Sequence, residues 1–146
     1  MKKIVLITIA LLVLGLFLRY ETAKIDSKSD SNSVIWNGKQ SIETDSEVKN
    51  IAIPGQSEML FEAGKTAQKV NIYNPEQNDC VMVFTLKIGE EIIWKSGDCL
   101  PGYGYYGIEL ERPLEPGTYK ASLIHECFRQ NKQLNTAIIN TTIMVK

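Results

Sequence analysis

The chain of 146 residues has one histidine, three cysteines and no surplus of positive charge, and each scarcity removes a class of chemistry. With His125 as the only imidazole, and Cys80, Cys99 and Cys127 lacking the close spacing of zinc ligands, no metal site is expected. Sixteen Lys and Arg against 17 Asp and Glu leave a net charge of −1. Binding to nucleic acid draws on basic side chains that release counterions from phosphate, so no nucleic-acid partner is expected either. Also absent are a GxSxG elbow, a P-loop and a GxGxxG in a strand-to-helix setting. The inventory predicts a protein that is not an enzyme and carries no cofactor.

The one long apolar run lies at the N-terminus. Lys2 and Lys3 precede Ile4–Leu18, an uncharged stretch of fifteen residues broken only by Thr8 and Gly15. At about 1.5 Å per residue it spans roughly 22 Å, short of a hydrocarbon core near 30 Å, so length leaves a cleaved signal peptide open. The following residues, Arg19-Tyr20-Glu21-Thr22-Ala23, place Glu21 where a signal peptidase cutting after Ala23 requires a small side chain. Arg19 and Tyr20 suit an interface and extend the effective span. Residues 4–20 are therefore expected to form a transmembrane signal-anchor. Flanking charge is nearly balanced between Lys2, Lys3 and Arg19, Lys24, Lys28, and the character of the remaining chain places the domain outside a cell membrane. Secretion after cleavage is the alternative.

Residues 21–48 read as a polar linker. KIDSKSDSNS, residues 24–33, is too polar to be buried, and Asn37-Gly38 in VIWNGKQSIE suits the turn of a short hairpin or marks a sticky juxtamembrane patch. The compact domain is expected over 49–146. It shows period-two alternation and turn residues at spacings near ten, and no helical period of useful length. Candidate strands fall at 50–53, 57–63, 68–74, 80–88, 90–96, 105–111, 118–128 and 135–145. The pattern predicts an all-β, immunoglobulin- or fibronectin-like antiparallel β-sandwich. Leu114-Glu115-Pro116-Gly117-Thr118-Tyr119 supports it: a tyrosine after such a turn bonds back to the backbone and fixes a crossover between sheets.

Three features bear on chemistry. In an exported setting one cysteine pair should oxidise, and three pairings exist; Cys80 with Cys127 links two predicted strands and is favoured. Closing that loop of nearly fifty residues stabilises a fold by about 4 kcal/mol in the chain-entropy model. Trp94 is expected to pack against it. His125 and Cys127 share a strand face, which suits a histidine packed at a sheet surface better than a catalytic base. PGYGYYG, residues 101–107, reads as a flexible tyrosine loop, with Tyr106 turned inward beside Ile108 and with Tyr103 and Tyr105 as candidate binding residues.

From Ile51 to Lys146 the chain resembles small, poorly characterised, membrane-anchored extracytoplasmic proteins of Gram-positive bacteria, often associated with plasmids and conjugative elements. The segments that carry this are IAIPG, KVNIYNPEQNDC, IIWKSG, IELERPLEPGTY and the terminal strand with its preceding HECF. The resemblance implies cysteines at the positions of Cys80 and Cys127, from which Cys99 departs, and it brings no catalytic residue. The expected role is an interaction module that binds a protein or cell-wall component. An accessory or exclusion factor of a conjugation system is the alternative, and a small-ligand carrier a weaker one.

Overall fold

The computed structural model describes residues 28–38 and 51–146. The expected membrane segment, residues 4–20, lies outside the described residues, as do residues 39–50 of the linker. The described chain is all-β, with eight strands and no helix: β1 (Val34–Ile35), β2 (Glu58–Phe61), β3 (Ala67–Tyr73), β4 (Val81–Ile88), β5 (Glu91–Lys95), β6 (Tyr103–Glu109), β7 (Gly117–Arg129) and β8 (Lys132–Val145). They form a three-stranded sheet, β1-β6-β3, and a five-stranded sheet, β2-β8-β7-β4-β5.

Period-two alternation explains why these segments are strands. Cys80, Met82, Phe84 and Leu86 are fully buried along one face of β4, and Ala121, Leu123, His125 and Cys127 repeat the pattern on β7, which pairs with it antiparallel. Ile72, Tyr105 and Ile108 of the smaller sheet join them in one core cluster. Burying side chains of this size contributes about 1.5–3 kcal/mol each, so this two-sheet interior dominates stability. Most neighbours are antiparallel, but β2 pairs parallel to the last four residues of β8.

Three register shifts interrupt the alternation. One falls opposite Ile93, where β5 carries an extra residue between Trp94 and Ile92, and both Ile93 and Trp94 are buried as a result. Another lets Leu134 of β8 go unpaired. The third lies between Lys69 and Ile72 of β3, facing Gly107 and Tyr105 of β6, and it decides which tyrosine faces the core. Before Leu114 the chain turns into β7, and the Tyr119 hydroxyl donates 2.9 Å to the Glu115 carbonyl, the back-bond anticipated for this corner.

Two asparagines hold the loops at one end of the sandwich. Asn74 is fully buried; its amide nitrogen donates to the carbonyls of Cys80 and Cys99, both at 2.9 Å, and its oxygen accepts from Asn78 at 2.9 Å. Asn78 in turn exchanges hydrogen bonds with the Ala52 backbone at 2.8 and 2.9 Å. Residues 50–53, expected as a strand, are instead held by this side-chain pairing: the described residues from Ile51 are irregular, and Ala52 bonds a side chain where a strand would bond a ladder.

Candidate functional site

Residues 28–38 lie on the sandwich as an arm, although their composition reads as part of a solvated spacer. Asp30 is the first fixed point. Its backbone N–H donates to the Asp98 carbonyl, its carboxylate accepts from the Gly97 N–H at 2.9 Å, and the Tyr105 hydroxyl donates to it at 3.0 Å. Burial alone would raise the Asp30 pKa, but the N–H bonds from Asn32 and Gly97 and the Tyr105 hydroxyl outweigh it and hold the carboxyl below its usual value.

Beyond Asp30, β1 adds to the edge of β6 through Val34 opposite Gly104 and Ile35 opposite Tyr103. Val34 and Ile35 thus pair with a strand about seventy residues away, and the residues after Gly38 that would close a hairpin at Asn37-Gly38 lie outside the described residues. Trp36 then stacks on Tyr73, with ring centroids 3.7 Å apart and planes at 10°, and its indole N–H donates to Asn71 Oδ1 at 2.8 Å. Stacking gives a bulky apolar ring somewhere to go in an otherwise polar tract. Gly104 is needed beneath this contact, since a Cβ there would stand 2.6 Å from the Tyr73 Cβ.

The tyrosine segment is therefore a strand rather than a loop. Tyr103 is half-buried, and its carbonyl accepts from the Asn74 N–H at 2.9 Å. Tyr105, expected at the surface, is 1% exposed. Its ring meets Phe84 and Trp94 edge-on at 6.2 and 5.2 Å, and burial pushes its phenol pKa well up. Tyr106, expected in the core, is 42% exposed and donates to Asn37 Oδ1 at 2.7 Å. The cause is the register shift between β3 and β6: a one-residue offset sends each side chain to the opposite face.

Beside the arm opens a cleft of about 730 Å³. Trp94, Tyr105, Gly107 and Ile108 line it together with Asp30 and Asn32 of the arm. Its lining carries both charge signs, Lys65, Lys69 and Lys95 with Glu62, Glu109 and Glu111, and Lys65 is paired with Glu62. A cleft with both charge signs above buried aromatics can grip a polar or zwitterionic chain segment. Sequence reasoning missed Asp30, Lys69, Lys95 and Gly107 here, and the lone Trp36 in a polar tract was the available signal that the arm docks.

The cysteines converge on one end of β4. Met82 pairs across to Cys127 on one side and bridges to Cys99 on the other, with backbone bonds of 3.0 and 2.8 Å. All three cysteines are buried, free thiols, so the expected Cys80–Cys127 bridge is not formed in this structure. The proximity of Cys127, then burial, raise the Cys80 pKa. Because β4 and β7 are neighbours, this pair lies within one sheet and does not tie two sheets together. Trp94 meets Tyr105 edge-on and belongs to the same core cluster as the three cysteines. Burial pushes Cys99 up to about 12, and its Sγ donates to the Tyr103 carbonyl at 3.3 Å.

His125, expected at a sheet surface, lies inside the core at 1% exposure. Its ring meets Phe84 edge-on at 5.1 Å, neither ring nitrogen has a hydrogen-bond partner, and burial lowers its pKa to about 4. A neutral imidazole sealed from solvent has no substrate to act on. Among the described residues no group of three His, Cys, Asp or Glu side chains is placed to hold a metal ion. No protein-family model, curated protein or solved structure matches the chain.

Proposed function

We propose that this chain is a non-enzymatic interaction module, an immunoglobulin- or fibronectin-like sandwich tethered outside a Gram-positive membrane by residues 4–20, that binds a protein or cell-wall component. The observation that carries the reading is the mixed-charge cleft that Asp30 and Asn32 of the arm help to line. The arm begins nine residues after the apolar run, and nine extended residues reach at most about 30 Å. A docked arm therefore holds the cleft close to the membrane, where it meets components of the wall and of neighbouring proteins. The sealed state of His125 supports a role without catalysis.

The same setting favours oxidation of Cys80 with Cys127. Both lie at the same end of the β4–β7 pair, and outside the cell a protein or small-molecule disulfide would accept the two electrons as the two protons leave.

Gly107 lines the cleft and supplies the test: a Cβ there meets nothing nearer than the Gln68 carbonyl at 3.6 Å and its φ lies outside the left-handed region, so a large side chain is expected to occupy the cleft without backbone strain. Full-length wild type and Gly107→Trp are reconstituted in nanodiscs, then tested for co-sedimentation with purified cell-wall sacculi and for proximity labelling of surface proteins on protoplasts. The proposal expects one of the two wild-type signals to fall at least tenfold in the variant. Equal signals from both chains would contradict it.

A further inference from the structure

The five-stranded sheet ends in an edge that is only partly covered. β2 pairs with Thr142–Val145 of β8, and among the described residues nothing pairs with the outer side of β8 before Thr142. The direction of the open backbone groups follows from the covered part. The N–H groups of Thr142 and Lys146 donate to Ser57 and Phe61 on the β2 side, at 3.0 and 3.1 Å. Strand geometry repeats every second residue, so Thr136, Ile138 and Asn140 present both N–H and C=O to the open side.

This edge lacks the devices that keep edges apart. From Gln133 to Val145 the sequence contains no charged residue and no proline. Natural edges carry lysine, proline, bulges or inward charges because unpaired backbone groups template pairing with another chain. The unpaired Leu134 disrupts only the far end, and Ile138 is 61% exposed in the middle of the open stretch.

We propose that this edge joins the same edge of a second copy, antiparallel about a two-fold axis at Ile138. That register sets Ile138 opposite Ile138 and Thr136 opposite Asn140, so all six open backbone groups find partners. A two-fold axis sets the central residue opposite itself, so a charge at 138 would face a like charge; the uncharged run carries no such penalty. Ile138 shares its face with Ile124 of β7, which extends the apolar contact behind the pairing. The two five-stranded sheets then run on as one of ten.

The test uses the full chain in detergent micelles at a low ratio of protein to micelle, with a mild oxidant. Opposed residues of an antiparallel hydrogen-bonded pair stand about 5.5 Å apart at Cα, within reach of a disulfide. Ile138→Cys should give a cross-linked dimer at several times the wild-type background. A mixture of Thr136→Cys and Asn140→Cys should cross-link several-fold more than either variant alone, and Ile138→Lys should leave the chain monomeric. Cross-linking no greater than wild type overturns the pairing, as does equal cross-linking by Thr136→Cys alone and the mixture. Slow amide exchange at residues 136–140 in a monomeric wild-type chain also overturns it, since a segment of the same chain would then cover the edge.

Discussion

The Tyr105 hydroxyl reaches out of the core to the Asp30 carboxylate, 3.0 Å away and 75 residues earlier in the chain. One hydrogen bond thus joins the interior of the sandwich to the arm. Trp36 on Tyr73 is the second attachment. Trp36→Ala should free the arm and speed amide exchange at Val34 and Ile35 at least tenfold, with little change in the exchange of β4 and β7. Tyr105→Phe should produce a smaller effect of the same kind. Unchanged exchange in Trp36→Ala would show that the stack does not hold the arm. The Asp30 carboxyl, held below its usual pKa, adds a sign: docking that depends on it is present above the ordinary carboxylate range and is lost as pH falls through the lowered value.

Asn74 is the most consequential buried polar residue. Its amide nitrogen faces two carbonyls, so Asn74→Asp would set an acceptor-only group against two acceptors in a dry site. A loss of at least about 3 kcal/mol is expected, larger than the roughly 1–3 kcal/mol for leaving one buried partner unpaired. Urea unfolding at pH 7 measures it, and a loss below about 1 kcal/mol would mean that the loops at this end are held by other contacts.

His125 should set part of the acid sensitivity. Its pKa falls from 6.5 to about 4 on folding, because burial disfavours the charged ring. The unfolded chain therefore binds more protons between these values. Stability is complete above 6.5, declines as pH drops, and levels off below 4, with about 2 kcal/mol lost by pH 5. His125→Leu should remove that component and be as stable as wild type or more so at pH 7, since it also deletes two unpaired polar atoms. Denaturant midpoints at pH 5 and 7 test this. An identical pH 5 to pH 7 difference in both proteins would show that His125 does not titrate on unfolding.

Mass mapping of unreduced protein recovered from outside the cell should show a Cys80–Cys127 peptide, with Cys99 as the free thiol. Reduction should lower stability by about 4 kcal/mol if the bond is unstrained. A Cys80–Cys99 or Cys99–Cys127 peptide would contradict the assignment.

How far the sequence could be read depends on which signals are local. β7 was legible because Ala121, Leu123, His125 and Cys127 keep an unbroken alternation, and β4 because it is a short apolar run bounded by turn residues; both fall close to their expected bounds. The back-bond of Tyr119 was legible for the same reason, since its partner is four residues away. The tyrosine strand misled because its phase is set by a register shift in β3, and nothing in PGYGYYG records that. β1 is two residues long and depends on Trp36 finding Tyr73, a partner far away in sequence. Likewise, the placement of 51–53 depends on Asn78, whose side chain competes with a ladder that the local pattern favoured. The cleft was illegible throughout, because it combines the arm, β3, β5 and β6.

The central claim is a tethered domain outside the membrane, and lysine labelling on intact cells addresses it most directly. A membrane-impermeant amine reagent should modify Lys65, Lys69 and Lys95 and spare Lys2 and Lys3, on a membrane-fraction chain whose intact mass includes residues 4–20. Labelled Lys2 and Lys3, unlabelled domain lysines, or a released chain that begins after Ala23 would contradict the account.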